Sequence, residues 1–541
     1  MKFPLRPSDI LSMRRRQLSA LGAGHSFDVL VIGGGIFGAG VARDAALRGL
    51  RVALIDKGDF ASGTSSRSSK LIHGGFRYLE QGSLRLVMEA CRERHILQRI
   101  APHLVRPLPF LLPVYRGDAR SLGKARIGMT LYDMLALYRN AAPHRCLAPA
   151  ATLDAEPGLA RRNLLGSIRY YDCQEDDARF CLENILHAAE VGATCVNYCE
   201  LAGLVMDKDR LVAATVRDTI GDQTFDICAR MFVNAAGPWM ERVAGLVPSR
   251  NGDRRSPMLR PTKGIHVVLP RLTGAHAIAF QAPRDGRIMF VLPWHDGSIA
   301  GTTDTDFRGD LSDVNAEADD VEYVLSAVRA ILPGAPAESS DVITTFAGIR
   351  PLLNGGGGGD AGAAASWSAH PSSSSREWRI IRHAENFLSI AGGKYTTYRA
   401  TAERVVDAVA KMLDARVRKC ETADTPLPNR RPSPAGERLA DRPSVYESDI
   451  LHACQAEMAM TVDDVMRRRT PLALTAHGGN DTAAAVARIM SPLMNWSERE
   501  AQASLQHYIA GRNRDRSSSS GSSEPAREVC EDAGAAPSSR T

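Results

Sequence analysis

Residues 27–56 constrain this chain more than any other segment. Asp28 is followed by Val29-Leu30-Val31-Ile32, the pattern of a strand buried on both faces of a parallel sheet. Gly33-x-Gly35-x-x-Gly38 comes next, then a helix running from Ala39 to Arg48, with Gly49 where a helix C-terminus favours glycine. A second apolar strand, 51–55, ends at Asp56. In such a βαβ unit the first glycine permits a tight turn and the second lets the backbone approach a pyrophosphate. The third lets the helix lie close on the strand. The phosphates meet the free N–H groups and the positive end of the helix, and an acid about 20 residues further on accepts from a ribose hydroxyl. Gly33, Gly35, Gly38 and Asp56 are therefore assigned to a dinucleotide. The motif alone does not separate a flavin from a nicotinamide.

A chain of 541 residues exceeds what one hydrophobic core organises, so two or three domains are expected. Residues 84–100 have the spacing of an amphipathic helix, 184–192 read as another helix and 230–234 as a short buried strand. Short strands at 265–269, 287–293 and 298–302, with turns between them, indicate an antiparallel sheet in a second domain; a helix follows at 321–331. A strand at 388–391 precedes a helix at 398–412. The Gly/Ala/Ser-rich run 354–375 is read as a flexible insertion, 446–508 as a small helical domain, and the Ser-rich end as disordered.

The expected fold class is α/β: a Rossmann-like nucleotide-binding domain, an antiparallel-sheet substrate (cap) domain and a small C-terminal helical domain. The nucleotide domain is assigned 27–105, 170–255 and 342–415, the cap 106–169 and 256–341, the helical domain 440–512 and the tail 513–541. Residues 1–26, with Arg14-Arg15-Arg16, are read as a basic extension forming a short helix ahead of the first strand, in preference to a mitochondrial transit peptide.

The remaining composition mostly excludes. A net charge of +6 is mild on this length; it permits anionic ligands or an anionic membrane surface and does not mark a nucleic-acid binder. Ten cysteines without a CxxC pair argue against a disulfide scaffold, a structural zinc or a c-type haem. The most apolar stretch, 104–115, is broken by Pro107, Pro109 and Pro113, so no membrane-spanning helix is expected, and association with a membrane surface stays open.

Two later segments narrow the cofactor. Asn234-Ala235-Ala236-Gly237 follows an apolar strand, and Gly392-Gly393-Lys394 follows another and opens a helix. A helix N-terminus at the pyrimidine edge of an isoalloxazine stabilises negative charge on the reduced ring. The run from Ile32 to Asp44 with Arg48-Gly49, and Gly392-Gly393-Lys394-Tyr395-Thr396-Thr397-Tyr398-Arg399 with Ala402, resemble the two signatures of the FAD-dependent glycerol-3-phosphate dehydrogenase family. Between them Ser65-Ser66-Arg67-Ser68-Ser69-Lys70-Leu71-Ile72-His73-Gly74-Gly75, Gly301-Thr302-Thr303-Asp304 and Gly348-Ile349-Arg350-Pro351 resemble that family in the same order. Glu457-Met458-Ala459, Asp463-Asp464-Val465 and Arg467-Arg468-Arg469-Thr470 resemble its C-terminal helical domain.

The resemblance implies FAD as cofactor and oxidation of sn-glycerol 3-phosphate to dihydroxyacetone phosphate, with C2 of the substrate facing flavin N5. It implies Arg350, Arg376 and Lys394 as substrate-binding cations, suited to a phosphate, with Arg350 and Lys394 also among the catalytic residues. Thr303 is a further substrate or flavin contact. Gly33, Gly35, Gly38, Asp56, Ser65, Ser66, Arg67, Ser69, Gly237, Gly392, Gly393 and Thr396 fall on the cofactor side. Loss of hydride from an alcohol needs a base for the hydroxyl proton, and His73 and His266 are the candidates; the strand pattern around His266 equally suits a core histidine. No metal is implied. The expected partners are a quinone, a peripheral membrane surface and a second copy of the chain; no nucleic acid is expected. The expected location is the cytoplasmic face of a bacterial inner membrane, with the mitochondrial inner membrane as the alternative. A glycerol-3-phosphate oxidase using oxygen, another FAD-dependent amine or amino-acid oxidase of this fold, and a non-catalytic flavin-binding scaffold remain as alternatives.

Overall fold

A computed structural model describes residues 7–22, 24, 26–79, 82–118, 121–247, 257–354 and 377–517. Among the described residues the chain builds two large sheets and one two-stranded hairpin. In the first, strand Phe27–Ile32 lies between Val52–Ile55 and Gln223–Asn234, parallel to both. Thr194–Val196 extends the sheet beyond Val52–Ile55; Phe387–Gly392 and then Trp378–Ala384 extend it beyond Gln223–Asn234. The side chains of Val29, Leu30 and Val31 are fully buried, as a continuous apolar run between two covered faces requires. Chain order reverses at Phe27–Ile32, so the crevice beyond its C-terminal end is the place where a doubly wound sheet receives a ligand.

The turn after this strand depends on its glycines. Gly33 has φ +109°, and a Cβ there would lie 2.7 Å from the Ala235 carbonyl oxygen. A Cβ on Gly38 would overlap the Gly33 carbonyl, which is the close helix-on-strand approach assigned to the third glycine. Helix Ile36–Leu47 packs against Asp177–Glu190 and Tyr398–Leu413 and is buried almost all round.

Several elements are longer than the sequence reading gave, among them two that flank the nucleotide sheet's centre. The helix read at 184–192 begins at Asp177, because the Asp176 carboxylate accepts from the Arg179 N–H (3.1 Å) and caps it; the acidic run conceals a helix start. The strand read at 230–234 is the end of Gln223–Asn234, which forms an antiparallel meander with Arg210–Asp218 and Cys199–Asp207.

The second sheet has the order Thr305–Asp306, Leu259–Pro270, Gly297–Gly301, Ile288–Trp294, Ala277–Gln281, Arg106–Tyr115, Leu164–Gln174, Leu71–Ile72. Thr344–Leu353 also pairs along Leu259–Pro270, from Leu259↔Leu353 to Val268↔Thr344. The domain boundaries therefore shift. Residues 344–353 and 170–174, assigned to the nucleotide domain, are strands of this sheet, held by long antiparallel ladders. Leu71–Ile72 leaves the nucleotide domain to pair with the end of Leu164–Gln174. Helix Ala318–Ile331 covers one face and shares a core with Ile265, Val267, Met289 and Val291.

The C-terminal domain is a hairpin, Arg438–Asp441 with Ser444–Tyr446, followed by helices Glu447–Ala456, Asn480–Met494 and Glu498–Ser517. The last helix continues through 513–517, where a disordered tail was expected; Arg467 holds Asp515 at 2.8 Å. The rest of that tail, the insertion from 355 onward and Arg376 lie outside the described residues. Helix Pro7–Gly22 precedes the first strand, and Arg14 pairs with Asp218 (2.6 Å), seating it on the meander. Among the described residues no helix is long and apolar enough to cross a membrane, and nine cysteines are free.

Candidate active site

A cavity of about 750 Å³ opens at the crevice. It is lined by Gly33, Gly35, Asp56, Ser65, Arg67, Ser69, Gly237, Gly392, Gly393 and Thr396, and also by His73, His266, Arg350 and Lys394. Segments separated by more than three hundred positions in sequence thus share one wall.

At the nucleotide side, Asp56 closes the strand Val52–Ile55. Its carboxylate accepts from the Gly34 N–H (2.6 Å) and the Gly58 N–H (2.9 Å), fixing both turns. Burial pushes this carboxyl up to about 6, with the two N–H bonds opposing the rise. Ser65 accepts from the Ile36 N–H at the start of the helix (2.9 Å). The Lys57 ammonium sits 4.1 Å from the centre of the Trp239 ring, and both line the cavity. Arg67 donates to the Ala347 carbonyl (3.0 Å), tying the serine-rich loop to the second sheet. Two cofactor candidates are not on the wall. Gly38 packs behind it, and the Ser66 hydroxyl turns back to the Gly63 carbonyl (3.4 Å).

At the other side, Arg350 projects from Thr344–Leu353. It donates to the Thr302 hydroxyl (2.9 Å), the Thr303 carbonyl (3.1 Å) and Asp304 (3.2 Å). A Cβ on Gly264, in the adjacent strand, would overlap its guanidinium, so the glycine supplies the space for this arginine. Thr303 does not line the cavity: its hydroxyl accepts from the Ile265 N–H (3.0 Å) and its carbonyl steadies Arg350. Its position is that of a support for a cation, where the sequence reading had a substrate contact.

His266 lies on Leu259–Pro270, stacked on Phe346 with ring centroids 4.7 Å apart, and its Nε2 is 2.9 Å from the Ser69 hydroxyl. Burial, Arg350 and Lys70 together hold the imidazole well below the ordinary histidine range, so it is neutral at neutral pH. His73 is fixed through its backbone: the Thr396 hydroxyl accepts from its N–H (3.3 Å) and faces its carbonyl (3.4 Å). Lys394 places its ammonium 3.4 Å from the centre of the Tyr78 ring. Tyr78, Lys57, Trp239 and Gly264 were not identified from sequence. Tyr78 and Trp239 each follow a motif glycine closely, which is a weak local signal; Gly264 acts across a strand pair and leaves none.

These residues fit FAD. The turn excludes a Cβ where a pyrophosphate would approach, an acid ends the second strand, and Gly392 and Gly393 (φ +74° and +100°) lead through the turn Tyr395–Thr397 into helix Tyr398–Leu413.

The comparisons agree with this geometry. A model of the FAD dependent oxidoreductase family matches residues 28–411, and a model of the C-terminal domain of alpha-glycerophosphate oxidase matches 396–501. The chain is 35% identical to glycerol-3-phosphate dehydrogenase 2 of Mycobacterium tuberculosis, over 90% of this chain and 88% of that protein. It is 36% identical to alpha-glycerophosphate oxidase of Streptococcus pneumoniae, over 72% of each. The crystal structure of the glycerol-3-phosphate dehydrogenase from Bacillus halodurans complexed with FAD aligns with a TM-score of 0.73 and 26% identity, covering 93% of this chain and 97% of that one. The chain therefore takes FAD as its cofactor and belongs to the FAD-dependent glycerol-3-phosphate dehydrogenase/oxidase family.

Proposed function

We propose that this enzyme oxidises sn-glycerol 3-phosphate to dihydroxyacetone phosphate and delivers the electrons to a quinone at the cytoplasmic face of a bacterial inner membrane. The observation that carries the substrate is the meeting of Arg350, Lys394, His73 and His266 on the wall that also holds the glycine cradle. A phosphate needs fork-shaped or point-charge cations. Arg350, braced by Asp304 and Thr302, supplies the fork, and Lys394 the point charge. Anchoring the phosphate fixes the secondary alcohol against the reacting centre and removes the entropy of orientation from the barrier. Bound in this cavity, FAD supplies the hydride acceptor. His266, neutral and oriented by Ser69, takes the hydroxyl proton as the C2 hydride leaves.

The acceptor reading draws on the surface. Leu84 and Met88 on helix Leu84–Ile100, Ile127 and Met134 on helix Leu122–Leu135, and Leu137 and Tyr138 beyond it are 44–73% exposed. The two helices pack together and both pack on Phe76–Leu79, which carries Tyr78 to the cavity. Their exposed charges, Arg85, Arg92, Arg99, Lys124, Arg126 and Arg139, are basic, Arg99 being paired with Asp424 (2.6 Å). The acids are buried or paired: Glu93 pairs with Arg399 (2.7 Å), Asp133 is buried beside His144 (2.8 Å), and the partly exposed Glu89 pairs with Arg404 (3.5 Å). An apolar stripe with a basic rim suits an anionic bilayer, the source of a lipid-soluble acceptor.

The deciding experiment is anaerobic. Adding glycerol 3-phosphate to the FAD-loaded enzyme should bleach the flavin absorbance promptly, with a rate that falls only at pH well below the ordinary histidine range. Rapid return of colour with a soluble quinone and slow return with oxygen would support the dehydrogenase reading. The reverse would make it an oxidase, and no bleaching would overturn the substrate.

A further inference from the structure

We propose that the C-terminal helical domain holds the cofactor loop in its binding geometry, through a buried ion-pair junction centred on Asp59, so that FAD retention depends on that domain. Asp59 stands in the loop 56–69, most of whose residues line the cavity, but its own side chain points away from the cavity and is 1% exposed. It reaches the C-terminal domain. Arg469 grips both carboxylate oxygens (2.7 and 2.8 Å), and Arg468 donates a third bond (2.6 Å). Arg468 is held in turn by Asp464 (2.6 Å), and Arg469 by the Glu457 carbonyl (2.8 Å). Asn197 spans the same seam, donating to Asp59 (2.9 Å) and to the Met458 carbonyl (2.9 Å).

A second tie reaches the opposite wall of the cavity. Thr345, in the strand that carries Arg350, donates to the Asp515 carbonyl (2.6 Å), and Arg467 pairs with the Asp515 carboxylate (2.8 Å). Arg67, on the cavity wall, feels the charges of both Arg467 and Asp515. The C-terminal domain therefore holds the cofactor loop at one end and the substrate strand at the other, and among the described residues it contributes none to the lining itself.

Burying so many charges in one seam is a poor way to gain stability, since their desolvation offsets most of the attraction. What bidentate ion pairs do supply is fixed geometry. Here they fix the loop that sets the Gly58 N–H on Asp56 and presents Lys57 to Trp239. The arrangement is a thermodynamic linkage: if docking of the domain strengthens FAD binding, FAD must strengthen docking of the domain by the same factor.

The test uses the full chain and measures FAD affinity by quenching of flavin fluorescence, with hydrogen exchange of residues 447–517 with and without FAD. In the parent protein FAD should increase protection of 447–517. Asp59→Asn should weaken FAD binding about tenfold or more and abolish that added protection. Arg179→Gln is the control: Arg179 ties helix Asp177–Glu190 to Glu457 in the same seam (2.6 Å) without touching the loop. It should lower stability, leave FAD affinity within about twofold and keep the added protection. If Asp59→Asn fails to fold, Thr345→Val, which keeps the side-chain volume and removes the hydrogen bond to the Asp515 carbonyl, severs the second tie and carries the test with the same expected loss of affinity. Wild-type FAD affinity in the folded Asp59→Asn protein, or equal losses in Asp59→Asn and Arg179→Gln, would overturn the proposal.

Discussion

Glu175 carries a carboxylate with no hydrogen-bond partner for either oxygen among the described residues, although the side chain is buried. Burial, with Asp177 beside it, raises this carboxyl well above its ordinary range, and Lys70 opposes the rise only in part. The native protein therefore holds this proton more tightly than the unfolded chain. Its contribution is fully present below the unfolded value and is lost as pH rises toward the folded one. Glu175→Gln should accordingly be more stable than the parent at pH 8, by of the order of 1–2 kcal/mol, with the gap closing toward pH 4. Denaturant melts at the two pH values check it, and a gap that widens in acid would refute it. Gly264 makes a second case. Because a Cβ there meets the Arg350 guanidinium, Gly264→Ala and Arg350→Ala should each raise KM roughly ten- to a hundredfold, with FAD still bound. Steady-state kinetics on both variants, with an unchanged KM in either, would remove Arg350 from the phosphate. Neither Glu175 nor Gly264 was legible in the sequence, since each owes its character to a neighbour on another strand or loop. The place of Arg350 and Lys394 on one cavity wall is what the motifs that name them led to expect.

At the scale of elements, the opening strand, turn and helix were readable because every requirement is local: the apolar run, the glycine spacing and the acid at the end of the second strand. The two glycines separate what binds from what folds. A Cβ on Gly38 overlaps backbone, whereas one on Gly35 meets only the Ser65 hydroxyl at 3.1 Å. Gly38→Ala should cost the apoprotein about 1–3 kcal/mol or more by overpacking, while Gly35→Ala leaves apoprotein stability within about 0.5 kcal/mol and weakens FAD. Thermal melts without FAD, beside flavin titrations, distinguish them; equal melting temperatures would refute the split. The strand Arg106–Tyr115 was harder to see, because three prolines suggest a broken segment. Pro107, Pro109 and Pro113 share one parity, so their nitrogens face the same side of the strand. The ladder to Leu164–Gln174 keeps its register from Arg106 to Val114, past all three prolines, so that side is the other one, where pairing with Ala277–Gln281 covers only Phe110 and Leu111. The prolines are tolerated because little pairing is asked of them there.

For the whole molecule, the sequence indicated three domains but divided them by stretches of chain, whereas the structure laces them. Strand Thr344–Leu353 follows the cap's pairing, and Leu71–Ile72 crosses over from the nucleotide domain; pairings between distant segments leave no local trace. The exposed apolar stripe is likewise a property of the assembled surface, since its residues come from two helices that meet only on folding. Replacing Ile127 and Met134 by Glu should abolish most co-sedimentation with anionic vesicles and leave reduction by glycerol 3-phosphate intact. Undiminished vesicle binding would move the membrane contact elsewhere, and dissociation of an oligomer by the same change would make the stripe a contact between copies.

The lacing also sets a timetable for biosynthesis. The cavity wall is assembled from residues as far apart as Ile32 and Thr396, and Arg468 and Arg469 leave the ribosome later still. At translation rates of about 5–20 residues per second, the N-terminal βαβ unit waits about 20 s or longer before its partners exist. Flavin capture should therefore come late in making this enzyme: translation products that stop before Thr396 should be colourless, and those that stop between Thr396 and Arg468 should hold FAD weakly.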